Sequence, residues 1–232
     1  MNKHLFLGFS LTEVLIAMSV VGVISAITVP VVIGHYQKQS LLSLVQKNYS
    51  DMEQNLTVLQ TENYSKGLYK SILNQKEGKT VAETAGQFLT EYYKVKKDCG
   101  TTAQPCFAAS YSDISTGTAT NFSCDGYTIS ATNGAAICVI PANITTDESN
   151  NKTKNPAKVY IDTNGTEAPN ISGRDLFTFN IYEDFTIDEV DPKLSSSDKT
   201  DKRTEIAAKC TTSKIGEGCL SRLLDDNWKM NY

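Results

Sequence analysis

The sequence is short of the groups on which most chemistry at neutral pH depends. Its 232 residues include two histidines, His4 and His35, and one tryptophan, Trp228. A Ser-His-Asp or Cys-His arrangement therefore has almost nothing to build on, and neither an enzymatic activity nor a catalytic residue is expected. There is no excess of positive charge: 22 Lys and Arg stand against 26 Asp and Glu, for a net charge of −4. No Lys/Arg stripe appears either, which removes the electrostatic footprint of a nucleic-acid-binding protein. No C-x-x-C spacing occurs, so the cysteines do not read as a zinc site. No internal repeat is visible, and the N-terminus has no convincing small-x-small cleavage site of a secretory signal.

What the N-terminus has instead is a long apolar run. Val14 to Ile33 is twenty residues without a charge, enough to cross a bilayer as a helix. Glu13 stands one residue before it, with no basic residue within reach along the helix. A charge at that depth costs about 2.5 kcal/mol or more, and such residues usually have a partner or a function. The length is that of one ordinary domain plus this segment. All six cysteines lie beyond it, in close pairs separated by 7, 14 and 9 positions. An even number placed after a membrane segment suggests disulfides in an oxidising compartment. The favoured pairing is Cys99–Cys106, Cys124–Cys138 and Cys210–Cys219, one of the 15 that six cysteines allow. Each bond would close a short loop and contribute about 2–3 kcal/mol.

Apolar residues continue past Pro30 at Leu41, Val45, Tyr49, Met52, Leu56 and Leu59, the spacing of one helix face. Phe9 to about Asn63 then forms one rod of about 80 Å, with Pro30 as the point of bending or loosening. Residues 64–79 read as a turn-rich connection with room for a brief helix. A second helix is expected over about 80–97: Thr80 and Glu83 form a capping box, and Lys94, Lys96 and Lys97 suit a C-terminus. Asn133-Gly134 between β-favouring runs predicts a hairpin, and "VYI" and "FTFNIY" read as strands. Residues 191–204 have the low hydrophobicity of an exposed or mobile loop. The C-terminal part reads as a bridged loop and a short helix carrying Leu220, Leu223 and Leu224, with Trp228 packed back on the sheet. Asp188/Glu189 and Asp225/Asp226 read as solvated surface.

The stretch "GFSLTEVLIAM", after a short leader containing Lys3, resembles the processing site of type IV pilins and type II secretion pseudopilins. The resemblance implies cleavage after Gly8 by a prepilin peptidase, N-methylation of Phe9, and Glu13 as the family's hallmark acid, met by the terminal amine of a neighbouring subunit. It implies a pilin-like α+β fold: a long N-terminal helix, transmembrane in its first half, packed on an antiparallel sheet domain with disulfides. The organisation would be a leader (1–8), a transmembrane assembly helix (9–34), the periplasmic half of the long helix (35–63) and a disulfide-braced globular domain (64–232). The chain would sit in the bacterial inner membrane with its N-terminus cytoplasmic and its domain periplasmic, then enter a pilus or pseudopilus. Its partners would be other pilin subunits, the peptidase/methyltransferase and an inner-membrane assembly platform. The competing reading is a single-pass, membrane-tethered ligand-binding protein that never polymerises.

Outside the membrane segment one loop, "DTNGTEAPNISGRD", merits a site reading. Asp162-x-Asn164-Gly165 resembles the opening of a calcium loop, although its glycine falls too early for an EF-hand and no glutamate stands at the twelfth place. Some pseudopilins hold calcium in a late loop of the sheet domain. If calcium binds, Asp162, Asn164 and Asp175 are the ligands; otherwise the segment is an Asx turn, the favoured reading, with Gly165 at positive φ. No other cofactor is expected.

Overall fold

A computed structural model of the chain describes residues 10–62, 67–76, 78–146 and 152–232. Two units are distinguished, Met1–Ser40 and Leu41–Tyr232. One helix, α1 (Leu11–Glu62), runs through the boundary and continues past Pro30. From Leu11 to Gln39 every side chain is exposed. Its hydroxyls bond inward along the helix: Ser19 Oγ donates to the Leu15 carbonyl (2.8 Å) and Thr28 Oγ1 to the Ile24 carbonyl (3.0 Å). Polar atoms in an apolar stretch are thereby satisfied by the helix itself.

In the second unit, α1 buries the face that its spacing predicts: Val45, Met52, Leu56 and Leu59 are all at most 5% exposed. This face meets a six-stranded antiparallel sheet in the order β1-β4-β5-β8-β9-β10. The strands are β1 (Val95–Gly100), β4 (Tyr127–Ala131), β5 (Ala136–Ile140), β8 (Ala157–Asp162), β9 (Leu176–Ile181) and β10 (Ile187–Asp188). Alternate residues of the central strands, among them Ile129, Ile137, Val159, Ile161 and Phe179, pack under Met52, Leu56 and Leu59. Burial on this scale is the main favourable term of the fold. Trp228 packs edge-on against Tyr49 of α1, with ring centroids 5.3 Å apart.

The other sheet face is covered by the chain between β1 and β4, which contains the small ribbon β2 (Ser110–Ser112) and β3 (Ala119–Asn121). Phe107, Tyr111 and Phe122 form a second core there with Cys138, Tyr160 and Leu176. Two disulfides pin this strap. Cys99–Cys106 joins it to edge strand β1, and Cys124–Cys138 joins its end to central strand β5. The third bond, Cys210–Cys219, closes the loop before the last helix. These are the three neighbouring pairs of the sequence. A further ribbon, β6 (Asn143–Thr146) with β7 (Lys152–Asn155), stands apart from the main sheet.

The expected hairpin is present. β4 and β5 pair across a turn in which Gly134 has φ 94°, and Asn133 Oδ1 accepts the Ala135 N–H. Asn133 Nδ2 also donates to Asn48 Oδ1 of α1 (2.9 Å).

Three expectations fail. The helix over 80–97 stops early: a π-helical turn, Ala82–Gly86, leads into α2 (Gln87–Tyr92), and Tyr93 is already extended. Lys96 and Lys97 lie in β1, where exposed lysines suit an edge strand by discouraging further pairing. The polar segment 191–204 is not a loop throughout, because α3 (Ser196–Ala207) begins within it. Ser195 Oγ accepts the Asp198 N–H and donates to the Asp198 carboxylate, so a mostly polar helix gains a local cap. Finally, Asp188 and Glu189 are not solvated: they are 5% and 8% exposed. Asp188 is ion-paired with Arg203 of α3. Glu189 accepts the N–H groups of Gly218 and Ser221, acting as a remote cap for α4 (Cys219–Asp225).

Candidate functional site

At the start of α1 the carboxylate of Glu13 is held by its own chain. The Ser10 N–H and the Ser10 hydroxyl both donate to Glu13 Oε2, each at 2.8 Å, and the Glu13 N–H returns a bond to Ser10 Oγ at 3.3 Å. This is a capping box, Ser-x-x-Glu, on a helix end whose first N–H groups have no intrahelical partner. Sequence reading found this signature at Thr80 and passed over it at Ser10. The helix that follows has a mean hydropathy of 2.5 in its most apolar stretch, none of which is buried within the chain. Glu13, Val14, Ala17, Met18, Val21 and Gly22 share one side of it. The other two expected processing residues, Gly8 and Phe9, lie outside the described residues.

The calcium candidates occupy a loop between β8 and β9. Asp162 Oδ1 accepts the N–H groups of Asn164 (3.1 Å) and Gly165 (2.9 Å), while its Oδ2 accepts the Tyr111 hydroxyl. Asp175 Oδ1 accepts from Ile171 (2.8 Å) and Leu176 (3.0 Å), and its Oδ2 from Asn170 (2.7 Å). Asn164 donates through Nδ2 to the carbonyls of Glu167 and Ala168. All four carboxylate oxygens thus receive an N–H or O–H donor. The segment forms a side-chain-bonded turn with Gly165 at φ 72°, and within it Asn164 Oδ1 and Asn170 Oδ1 are buried without a hydrogen-bond partner. Among the described residues no cluster of three or more His, Cys, Asp or Glu is placed to hold a metal.

Burial pushes the Asp162 carboxyl well above the ordinary carboxylate range, and the nearby Asp175 charge adds to it. Burial likewise raises Asp175, against the pull of its backbone donors. Glu189 is raised to about 7 by burial, opposed by the Ser221 and Gly218 N–H groups. These acids brace loops: the Ser112 N–H bonds the Asn170 carbonyl and the Ser172 N–H bonds the Ser112 carbonyl, so the strap and the β8–β9 loop are joined beside the Tyr111–Asp162 bond.

An α+β domain braced by three disulfides, with one apolar helix among the described residues long enough to cross a membrane, defines the class of the chain. Models of known protein families, characterised proteins and solved structures all lack a match to it.

Proposed function

We propose that the chain is a prepilin-like structural subunit. A prepilin peptidase cuts it after Gly8 and methylates Phe9, and its N-terminal helix assembles it into a type IV pilus or a type II secretion-like filament. Before assembly it spans the inner membrane once, N-terminus in the cytoplasm and disulfide domain in the periplasm. Its role is mechanical rather than catalytic.

One observation carries the reading: an ionisable acid in the first turn of a helix whose next twenty residues are uncharged and uncovered by the rest of the chain. Cleavage after Gly8 would create an ammonium at the start of the same helix. Each charge alone is costly in hydrocarbon, and pairing between adjacent subunits offsets both. The side of the helix next to Glu13 carries Ala17 and Gly22, small residues that let a neighbouring helix approach closely. The three disulfides fit an oxidising compartment.

Mass spectrometry of the sheared extracellular fraction tests the reading. The expected result is abundant chain beginning at N-methylated Phe9. Recovery of the chain from membranes alone would favour a tethered domain that does not polymerise.

A further inference from the structure

The geometry points to a binding site for a phosphate group at Arg174 and Arg222, two guanidiniums gathered on the ring of Tyr232. The site is independent of the filament reading and lies wholly within the sheet domain.

The chain contains three arginines, Arg174, Arg203 and Arg222. Arg203 is committed to ion pairs with Asp188 and Asp225. The other two converge: the guanidinium carbon of Arg174 lies 5.6 Å from the centroid of the Tyr232 ring, and that of Arg222 5.0 Å. Stacking of this kind steadies a cation but leaves its N–H groups unused. Among the described residues no carboxylate forms an ion pair with either arginine. Arg174 Nη1 is also buried without a hydrogen-bond partner, and burial pulls the Arg174 guanidinium below its ordinary pKa. Two like charges held close together repel, and a desolvated N–H without an acceptor is costly. An oxyanion would relieve both.

Two nearby acids do not supply it. Tyr232 feels the charges of Glu189 and Asp226, but Glu189 is occupied by the Gly218 and Ser221 N–H groups. Asp226, one helical turn after Arg222, makes no ion pair with it.

Both arginines are anchored beside the Cys210–Cys219 disulfide. Arg174 follows Gly173, where a Cβ would run into Cys219 Sγ, and the Arg174 N–H donates to the Ile171 carbonyl (2.9 Å). Arg222 stands in α4, which Cys219 opens, with its N–H bonded to the Gly218 carbonyl (3.1 Å). The two backbones are therefore fixed before a ligand arrives, which lowers the ordering cost of binding. Arginine offers a planar fork of N–H donors that matches carboxylate and phosphate oxygens. Two forks supply more donors than one carboxylate can accept, so a phosphate group, with more oxygens, is the better match. A free phosphate ion and the headgroup of an anionic phospholipid share that chemistry.

Isothermal titration of the full, detergent-solubilised chain tests the site at constant ionic strength. One arm uses inorganic phosphate and the other short-chain phosphatidylglycerol. Saturable binding is expected in at least one arm. Tighter binding of the lipid assigns the site to a membrane headgroup, and tighter binding of the ion assigns it to free phosphate. Arg174→Gln and Arg222→Gln should each weaken binding about tenfold, the equivalent of one charge-assisted hydrogen bond. Lys96→Gln, which removes an exposed charge on β1, should leave it unchanged. Where a glutamine variant does not fold, the lysine variant at the same position keeps the charge but loses the fork, and it should still weaken binding several-fold. No saturable binding in either arm would overturn the inference. So would wild-type affinity in the folded Arg174 and Arg222 variants, or an equal loss from Lys96→Gln, which would reduce the effect to net charge.

Discussion

Two capping boxes with nearly superimposable hydrogen bonds open two helices of this chain, one beside the sheet domain and one at the head of an apolar helix. At Thr80 the carboxylate is in water: bonds from Thr80 hold Glu83 below its ordinary pKa, and Lys79 adds a smaller pull. An exposed pair of that kind contributes little. At Ser10 the same arrangement precedes twenty uncharged residues, and on the proposed reading a bilayer there makes an unmatched charge expensive. In the proposed filament the motif is a local cap in one place and calls for a partner in the other. Environment alone separates them.

The largest effect should come from removing the acid at the apolar end. Glu13→Ala should insert and be cleaved normally yet lose incorporation into filaments, as read by the sheared fraction. Glu13→Gln sharpens the point, because glutamine still closes a capping box but carries no charge. It should fail nearly as completely, and normal filaments from it would mean that the cap rather than the charge matters.

Next in size is the face that α1 buries. Leu56→Ala, at a position 1% exposed, should cost about 3 kcal/mol in thermal or denaturant unfolding of the detergent-solubilised chain. A comparable truncation at Leu15, which is 58% exposed, should leave the stability of the sheet domain unchanged.

The buried acids of the domain give a pH signature opposite in sign to that of the exposed box. Glu189 is raised to about 7 in the fold, so between its unfolded value and 7 the folded chain holds more protons than the unfolded one. Stability from this group is fully present below about pH 4.5 and is lost as pH rises through about 7, on the order of 3 kcal/mol. Asp162 and Asp175 act in the same direction. Glu189→Gln should flatten the slope of unfolding free energy between pH 5 and 8; an unchanged slope would place the proton uptake elsewhere. Smallest of all, Thr80→Ala should cost about 1 kcal/mol and leave assembly untouched, in contrast to Glu13→Ala.

The features legible in the sequence are those whose causes are local. Asn133-Gly134 announces its hairpin because two residues set the turn, and the spacing from Val45 to Leu59 announces the buried face of α1 because one helix repeats it. Asp188 and Glu189 misled because their partners are distant in sequence: Arg203 lies 15 residues on, and the Gly218 and Ser221 N–H groups 29 and 32. Nothing near them signals burial. The helix α3 was hidden for a related reason, since it is polar up to Ile206 and is held by ion pairs of Arg203 with Asp188 and Asp225 and of Lys199 with Asp188. Lys94, Lys96 and Lys97 suit a helix end or an edge strand equally, and the pairing of β1 with β4 decided for the strand. Tyr111 gave no signal at all; its bond to Asp162 joins residues 51 apart, across a strap that two disulfides tie to the sheet.

In the proposed filament a second copy of the chain brings a positive terminus to Glu13. A photo-crosslinking residue in place of Val14, which leaves the acid and its box intact, reads this contact in assembled material. The expected product is a cross-linked dimer whose adduct maps to the first few residues, beginning at Phe9, of another copy. Adducts to lipid alone, with no second chain captured, would contradict it.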